Sequence, residues 1–259
     1  MGKVNNLFRK RIGLDQDKIL RFEDLDDVLE KTARTIPFEN FCIMKGQSKS
    51  ITEEHLISKI LVRNEGGVCY ELNPVLYLFL QENGFEVSLV RGAVFEQQSQ
   101  DLSPTGRTHL AIVIRDEGKS YLVDTGFGSN LPLKPVPLNG EVVKSNNGEF
   151  MISKVSSPYG NHLFNMKRRG KDQEWVKGYV FDTERLTELT ELEEMQSIIV
   201  ESENSPFNKS PLITRLTSTG SITLTKTSFT EWRDEGAVKR ELDEKEFAQL
   251  AEKHFGVKY

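Results

Sequence analysis

The sequence predicts an α+β protein in which a helical N-terminal third is followed by antiparallel β-structure and a mixed C-terminal segment. Three observations carry that expectation. Apolar residues keep helical spacing as far as about residue 83, the period then drops to two, and turn residues separate the strands that follow.

In the first third, "LRFEDLDDVLEKTARTI" places Leu20, Phe22, Leu25, Val28 and Leu29 along one helical face. "TEEHLISKILVR" repeats the pattern behind Thr52, whose hydroxyl suits an N-cap. "NPVLYLFLQENG" supplies a further helix that stops at Gly84, a residue that readily closes a helix in the left-handed conformation. From Phe85 onward, "FEVSLVRGAVFEQ", "THLAIVIRD", "KSYLVDTG", "EFMISKVS", "HLFNMKRRG" and "EWVKGYVF" alternate or are β-branched, as strands of a barrel or sandwich do. After about residue 185, "TELEEMQSIIVESE" reads as a helix, "PLITRLTSTGSITLTKTSFTEW" as strands turning at Ser218 to Gly220, and "DEKEFAQLAEKHFG" as a last helix closed by Gly256.

Composition narrows the function. A chain of 259 residues buries roughly 70 to 75% of its unfolded surface, enough for a real core. A net charge of −5 without a concentrated basic block argues against nucleic acid; "KRR" around Arg168 is too short to change that. No apolar run approaches the ~20 residues of a membrane span, and the N-terminus lacks a secretory core, so a cytoplasmic protein is expected. The two cysteines, Cys42 and Cys69, and the four histidines show no metal-ligand or disulfide spacing, so no metal and reduced thiols are expected.

Cys69 follows Gly66 and Gly67, which permit a tight entry and close backbone approach, and it precedes a helical run. A free thiol with a pKa of ~8.5 is a weak nucleophile at neutral pH, but a helix N-terminus and an adjacent imidazolium favour its anion. Pro74 fits best in a helix's first turn, so the regular helix is expected to start from an Asn73 cap, with Cys69 in the turn before it. Cys42, inside the apolar "FENFCIM", is expected to be buried and inert. His55, His162 and His254 have no acid or thiol partner in sequence and read as surface or structural.

The hairpin "THLAIVIRDEGKSYLVDTG" supplies the base. If Glu117 and Gly118 form a two-residue turn, Ala111 faces Asp124 and His109 faces Gly126. His109 and Asp124 are then diagonal neighbours on one face, with Cβ atoms ~7 to 8 Å apart, near enough for an imidazole to meet a carboxylate. Asp124 at the end of an apolar strand needs such a partner. Asp124 orienting His109, and His109 taking the proton of Cys69, is the arrangement of an activated nucleophile.

These residues resemble the arylamine N-acetyltransferase family. The likeness lies in "IPFEN", "GGVCYELN", "THL", "YLVDTGFGSNLPL" and the terminal "LAEKHFG", in order across most of the chain. It implies a helical bundle over 1–83 carrying the nucleophile, a β-barrel over 84–185 carrying His109 and Asp124, and an α/β lid over 186–259, around a cysteine-protease-like Cys-His-Asp core. It also implies acetyl transfer from acetyl-coenzyme A to Cys69 and on to an arylamine or hydrazine, with ping-pong kinetics and small-molecule partners only, in a monomer or weak homodimer. Phe127 resembles the family's aromatic wall for the arylamine ring, and Thr108 and Phe207 resemble positions near the pantetheine and adenine. Gly126, Gly128 and Ser129 form a small-residue loop whose N–H groups suit the coenzyme pyrophosphate. Two departures stand out. Glu65 occupies the place of a family arginine, so Glu39 either faces a second acid or takes Arg63 as its partner; Ser129 stands where the family often has glycine. Alternatives from the same residues are a cysteine hydrolase of papain or transglutaminase type and a non-catalytic small-molecule binder.

Overall fold

A computed structural model describes residues 2–97, 99–243 and 245–259. Helix α1 (Lys3–Ile12) ends at Gly13, whose φ of 71° lets its N–H return to the Arg9 carbonyl. Helix α2 (Leu25–Thr35) buries Leu25, Val28 and Leu29, as the spacing predicts. After the short α3 (Phe41–Met44), helix α4 (Glu53–Leu56) starts at Thr52, whose side chain accepts the His55 N–H, and runs into a wider π-helical turn over Ile57–Val62. Helix α5 (Cys69–Glu82) is the hub of the helical part and is buried over nearly all of its first two turns. Its Glu82 carboxylate accepts the N–H of Asn5 at 2.7 Å, fastening the start of α1 to the end of α5.

The strands fall into two antiparallel sheets. The larger contains β2 (Glu86–Val94), β3 (His109–Asp116), β4 (Lys119–Val123), β5 (Val136–Pro137), β6 (Val143–Ser145), β7 (Gly148–Ser157), β8 (Gly160–Arg168) and β9 (Val176–Thr187), in the order β5-β4-β3-β2-β9-β8-β7-β6. It curls into a nearly closed barrel: Val136 from one end of that order shares an interior core with Phe150, Phe164 and Tyr179 from the other half. The smaller sheet joins β1 (Phe38–Glu39) to β10 (Leu212–Thr217), β11 (Gly220–Thr225), β12 (Ser228–Arg233) and β13 (Gly236–Glu241). Helix α7 (Glu246–Phe255) packs Phe247, Ala251 and Phe255 on that sheet, and α6 (Leu192–Glu201) packs Leu192, Met195 and Ile199 on the helical core.

Three elements differ from expectation. The strand β1 lies in the segment whose pattern is helical and pairs with β10, so the N-terminal segment contributes directly to the C-terminal sheet. The strand β13 has charged, exposed residues on both faces and offers no alternation to read. Helix α5 begins at Cys69 itself, with Pro74 inside it. The Glu71 carboxylate accepts the Val68 N–H at 3.0 Å and fixes the start one turn early; burial of the segment on nearly all sides outweighs the single hydrogen bond lost at Pro74.

The β3–β4 hairpin has the expected register. Glu117 and Gly118 both take positive φ, 46° and 76°, the conformation a two-residue turn of this kind requires. Asp116 faces Lys119 and Ile112 faces Val123. Along β3, Leu110, Ile112 and Ile114 enter the helical core, while Ala111 and Val113 enter the barrel core. The same alternation puts His109 and Asp124 on the barrel face.

Candidate active site

Cys69 is the first residue of α5, with its sulfur 3.5 Å from the Thr108 carbonyl oxygen, to which the thiol donates. The backbone N–H groups of Cys69 and Tyr70 have no acceptor among the described residues, as expected for the first positions of a helix. This site lies at the positive end of the helix. His109 leads β3 directly behind Thr108. Its Nε2 donates to Asp124 Oδ2 at 2.7 Å, and the neighbouring Cys69 thiol acts on the ring by raising its pKa. Cys69, His109 and Asp124 are 7%, 3% and 2% exposed, so little bulk water competes with their interactions.

Asp124 is held by four donors. Oδ2 accepts from His109 Nε2 and from the Tyr179 hydroxyl at 2.9 Å. Oδ1 accepts from Asn73 Nδ2 at 2.9 Å and from the Gly126 N–H at 2.7 Å. A buried carboxylate with all four of these bonds is held in one orientation. Burial alone would lower the pKa of His109; the charge and hydrogen bond of Asp124, with the Cys69 thiol, outweigh it and push it up to about 10. Burial, and then the neighbouring Asp124 charge, hold the Tyr179 phenol well above its ordinary value, so it remains a donor.

Two of these partners are not evident from the sequence pattern. Asn73 reads there only as a helix cap, yet it is completely buried and also bonds the Leu110 carbonyl at 2.6 Å and the Thr125 N–H at 2.9 Å. Its place four residues after Cys69 on one helix face is the signal that points to it. Tyr179 carries no such signal, because the fold of β9 against β2 and β8 brings it to Asp124.

The glycine loop divides into two parts. A Cβ on Gly126 would lie 2.6 Å from Cys69 Cα and 2.8 Å from Asn73 Nδ2; the loop backbone therefore packs directly on the first turn of α5. The Phe127 ring lies 4.9 Å from His109 and 5.1 Å from Tyr179, partly buried between the barrel core and a small cluster around Leu131, Leu133 and Leu216. Gly128 takes the left-handed conformation, φ 62°, and the Ser129 carbonyl accepts from Asn147 Nδ2 at 3.0 Å. The structure brings Thr108, Gly126 and Phe127 to the triad. Phe207 instead packs on Phe38, with ring centroids 5.5 Å apart, beside the Gly66–Gly67 entry.

The acid that replaces the family arginine leaves no unpaired charge. Arg63 and Glu65 pair with each other at 2.7 Å on the surface, so Arg63 is not the partner of Glu39. That partner is Lys59, from the π-helical turn. Its ammonium, 1% exposed, lies 2.6 Å from Glu71 Oε1 and 3.7 Å from Glu39 Oε1. Burial opposes its charge, but the two carboxylates raise its pKa further. Glu71, the nearer acid, is the main counterion; burial raises Glu39, which Lys59 only partly offsets. Cys42 is half-buried rather than buried, and burial raises its thiol. Among the described residues, no group of three or more His, Cys, Asp or Glu side chains is placed to hold a metal, and no helix is long and apolar enough to cross a membrane.

A family profile described as N-acetyltransferase matches residues 21–259. The chain is 37% identical over 247 residues to an uncharacterized acetyltransferase, YvcN, of Bacillus subtilis, covering 95% of each. It superposes with a TM-score of 0.93 on the crystal structure of arylamine N-acetyltransferase C from Bacillus anthracis, at 36% identity over 99% of both chains. It superposes with a TM-score of 0.94 on an arylamine N-acetyltransferase from Bacillus cereus, at 37% identity over the whole of both chains; that enzyme is described as having a unique Cys-His-Glu catalytic triad. The chain belongs to the arylamine N-acetyltransferase family and is an enzyme of that family. The acid beside its histidine is an aspartate, Asp124.

Proposed function

We propose that the protein moves an acetyl group from acetyl-coenzyme A to the nitrogen of an arylamine or hydrazine through an acetyl-Cys69 intermediate, in two half-reactions at one site. The observation that carries this reading is His109, held by Asp124 and facing a thiol at the first residue of a helix. An imidazolium and a helix N-terminus together favour the thiolate.

In the first half-reaction the Cys69 sulfur attacks the thioester carbonyl, and the backbone N–H groups at the start of α5 face the developing oxyanion. The carbon–sulfur bond to coenzyme A breaks, and the departing thiolate takes the proton of His109. Acetylation removes the sulfur's charge and its hydrogen bond, two of the influences that raise His109, so the imidazole is left neutral. In the second half-reaction the amine attacks the acetyl carbonyl, His109 takes its proton, and the Cys69 thiolate leaves. Phe127 supplies the face against which the aromatic amine lies. Thr108, Gly126, Gly128, Ser129 and Phe207 line the approach of the coenzyme. The aromatic surroundings of His109 keep water from the acetyl-cysteine.

Incubation with acetyl-coenzyme A alone, followed by peptide mass analysis, tests the proposal. One acetyl group is expected on Cys69, discharged on adding an aromatic amine, and absent in Cys69→Ser protein that remains folded. Coenzyme release with no trapped adduct and no amine product would mean a hydrolase. Iodoacetamide near pH 7 is expected to label Cys69 much faster than Cys42.

A further inference from the structure

Beyond Phe127 the loop is sewn to the barrel. Asn147 Nδ2 donates to the carbonyls of Ser129 and Leu131, at 3.0 and 2.8 Å, and Arg168 Nη1 donates to Asn130 Oδ1 at 2.8 Å. Next to this seam lies a cavity of about 160 Å³ between the barrel and the C-terminal sheet, lined among others by Asn147, Arg169, Lys171, Ser221, Trp232 and Arg233. It is large enough for a tetrahedral oxyanion with accompanying water.

The cations around this cavity are not equivalent. Arg168 is paired with Asp172 at 2.6 Å, Arg169 with Asp234, and Arg233 with Glu231 at 2.6 Å. Lys171 has no carboxylate within ion-pair distance among the described residues. Its Nζ donates to Ser129 Oγ at 3.2 Å and Ser221 Oγ at 3.4 Å, and stands 4.8 Å from the centre of the Trp232 ring. Burial, and then repulsion from Arg168, pull its pKa down to about 8 against the weaker influence of Asp172. An ammonium held in a recess by two hydroxyls and an indole face is a charge without its counterion. Each hydroxyl that accepts from Nζ still has its own O–H to give. Two donors therefore line the cavity, the ammonium and Ser221 Oγ, with Ser129 Oγ bonded to the same Nζ.

We propose that the Lys171 cavity is an anion subsite that takes a phosphate group of the acyl donor's nucleotide. This rests on the acetyl-coenzyme A reading and adds where the donor's charge is received. Lysine binds phosphate as a point charge, and the Ser221 hydroxyl adds a second donor. The ligand class fits the place. Ser129, which accepts from Lys171, belongs to the loop whose Phe127 stands against His109, so one short segment connects the reacting centre to the lysine of the subsite. It also fits the junction, because an anion at this point ties Lys171 of the barrel to Ser221 of the C-terminal sheet.

The test compares wild-type and Lys171→Met protein by calorimetric titration with coenzyme A, dephospho-coenzyme A, pantetheine and inorganic phosphate. Lys171→Met is expected to weaken coenzyme A about tenfold, the loss of one charge-assisted contact, and to leave pantetheine unchanged. Dephospho-coenzyme A identifies the phosphate: equal loss with both nucleotides assigns the pyrophosphate, and loss with coenzyme A alone assigns the ribose phosphate. Unchanged coenzyme A binding overturns the proposal. So does inorganic phosphate that binds through Lys171 without displacing coenzyme A, which would make this a site for the free ion. Acetylation of Cys69 by an activated aryl acetate, which carries no phosphate, is expected to be equal in both proteins. If that acetylation fails in wild type, the acyl-transfer reading is at fault, while the titrations still judge the subsite.

Discussion

Two buried charge centres flank the first turn of α5, and they treat protons differently. On the barrel side, Asp124 receives four hydrogen bonds and passes its influence to His109, whose pKa the neighbouring Cys69 thiol also raises. On the helical side, Lys59 is wedged between Glu71 and Glu39, and Glu71 in turn holds the Val68 N–H directly before the nucleophile. The first centre ends at an imidazole beside a thiol. The second ends at the backbone, where Glu71 accepts the Val68 N–H. On the acyl-transfer function proposed above, positioning the thiol and activating it are separate tasks carried by separate elements.

The comparison is broken most severely from the barrel side. Asp124→Asn puts an amide NH₂ among groups that are already donors and removes the charge that keeps His109 protonated. Acetyl transfer is expected to fall about 10³- to 10⁴-fold, the scale seen when an orienting aspartate is neutralised. Steady-state kinetics with circular dichroism as a control would check it; near-normal turnover would dissociate Asp124 from the mechanism.

A change on the helical side should act through stability first. Lys59→Met leaves two buried acids facing each other and is expected to cost about 3 to 5 kcal/mol, measured by urea denaturation. Lys59→Arg should recover part of that loss. Equal stability of Lys59→Met and wild type would show that Glu39 and Glu71 do not depend on this cation.

The smallest effect sharpens the contrast through pH. In Cys69→Ala protein the His109–Asp124 pair titrates without the thiol. Its folded pKa is raised above the unfolded value of about 6.5, so its stabilisation is full below about pH 6.5 and is lost as pH rises toward the folded value. The slope is at most about 1.4 kcal/mol per pH unit. With the thiol gone, that window should close below the value of about 10 held in the intact site. Denaturation midpoints of Cys69→Ala against Cys69→Ala/His109→Gln from about pH 6 to 10 would show it, and parallel curves would mean that His109 is not raised.

Local patterns make much of this legible. The two-residue turn at Glu117–Gly118 sets the parity of every position in its hairpin, so His109 and Asp124 have to share a face. Helix periodicity locates α2 and α4, and glycines mark the ends of α5 and α7. The start of α5 is harder to read because Pro74 is a strong local signal for a later start, whereas the Glu71 bond and the burial that override it are not local. The apolar neighbours of Cys42 suggest burial, but the packing of α3 leaves it only half-buried.

The sequence by itself determined the periodicities, the hairpin register and the identities of the thiol, imidazole and carboxylate, because each depends on near neighbours in the chain. Only the tertiary structure decided that Lys59 braces Glu39, that Asn73 and Tyr179 complete the shell of Asp124, and that Lys171 faces a cavity without a counterion. Those pairings join residues well separated in the chain, 12 apart for Lys59 and Glu71, 51 for Asn73 and Asp124, and 55 for Tyr179 and Asp124. Electrostatic partnership in a folded chain follows distance in space, which local pattern does not encode.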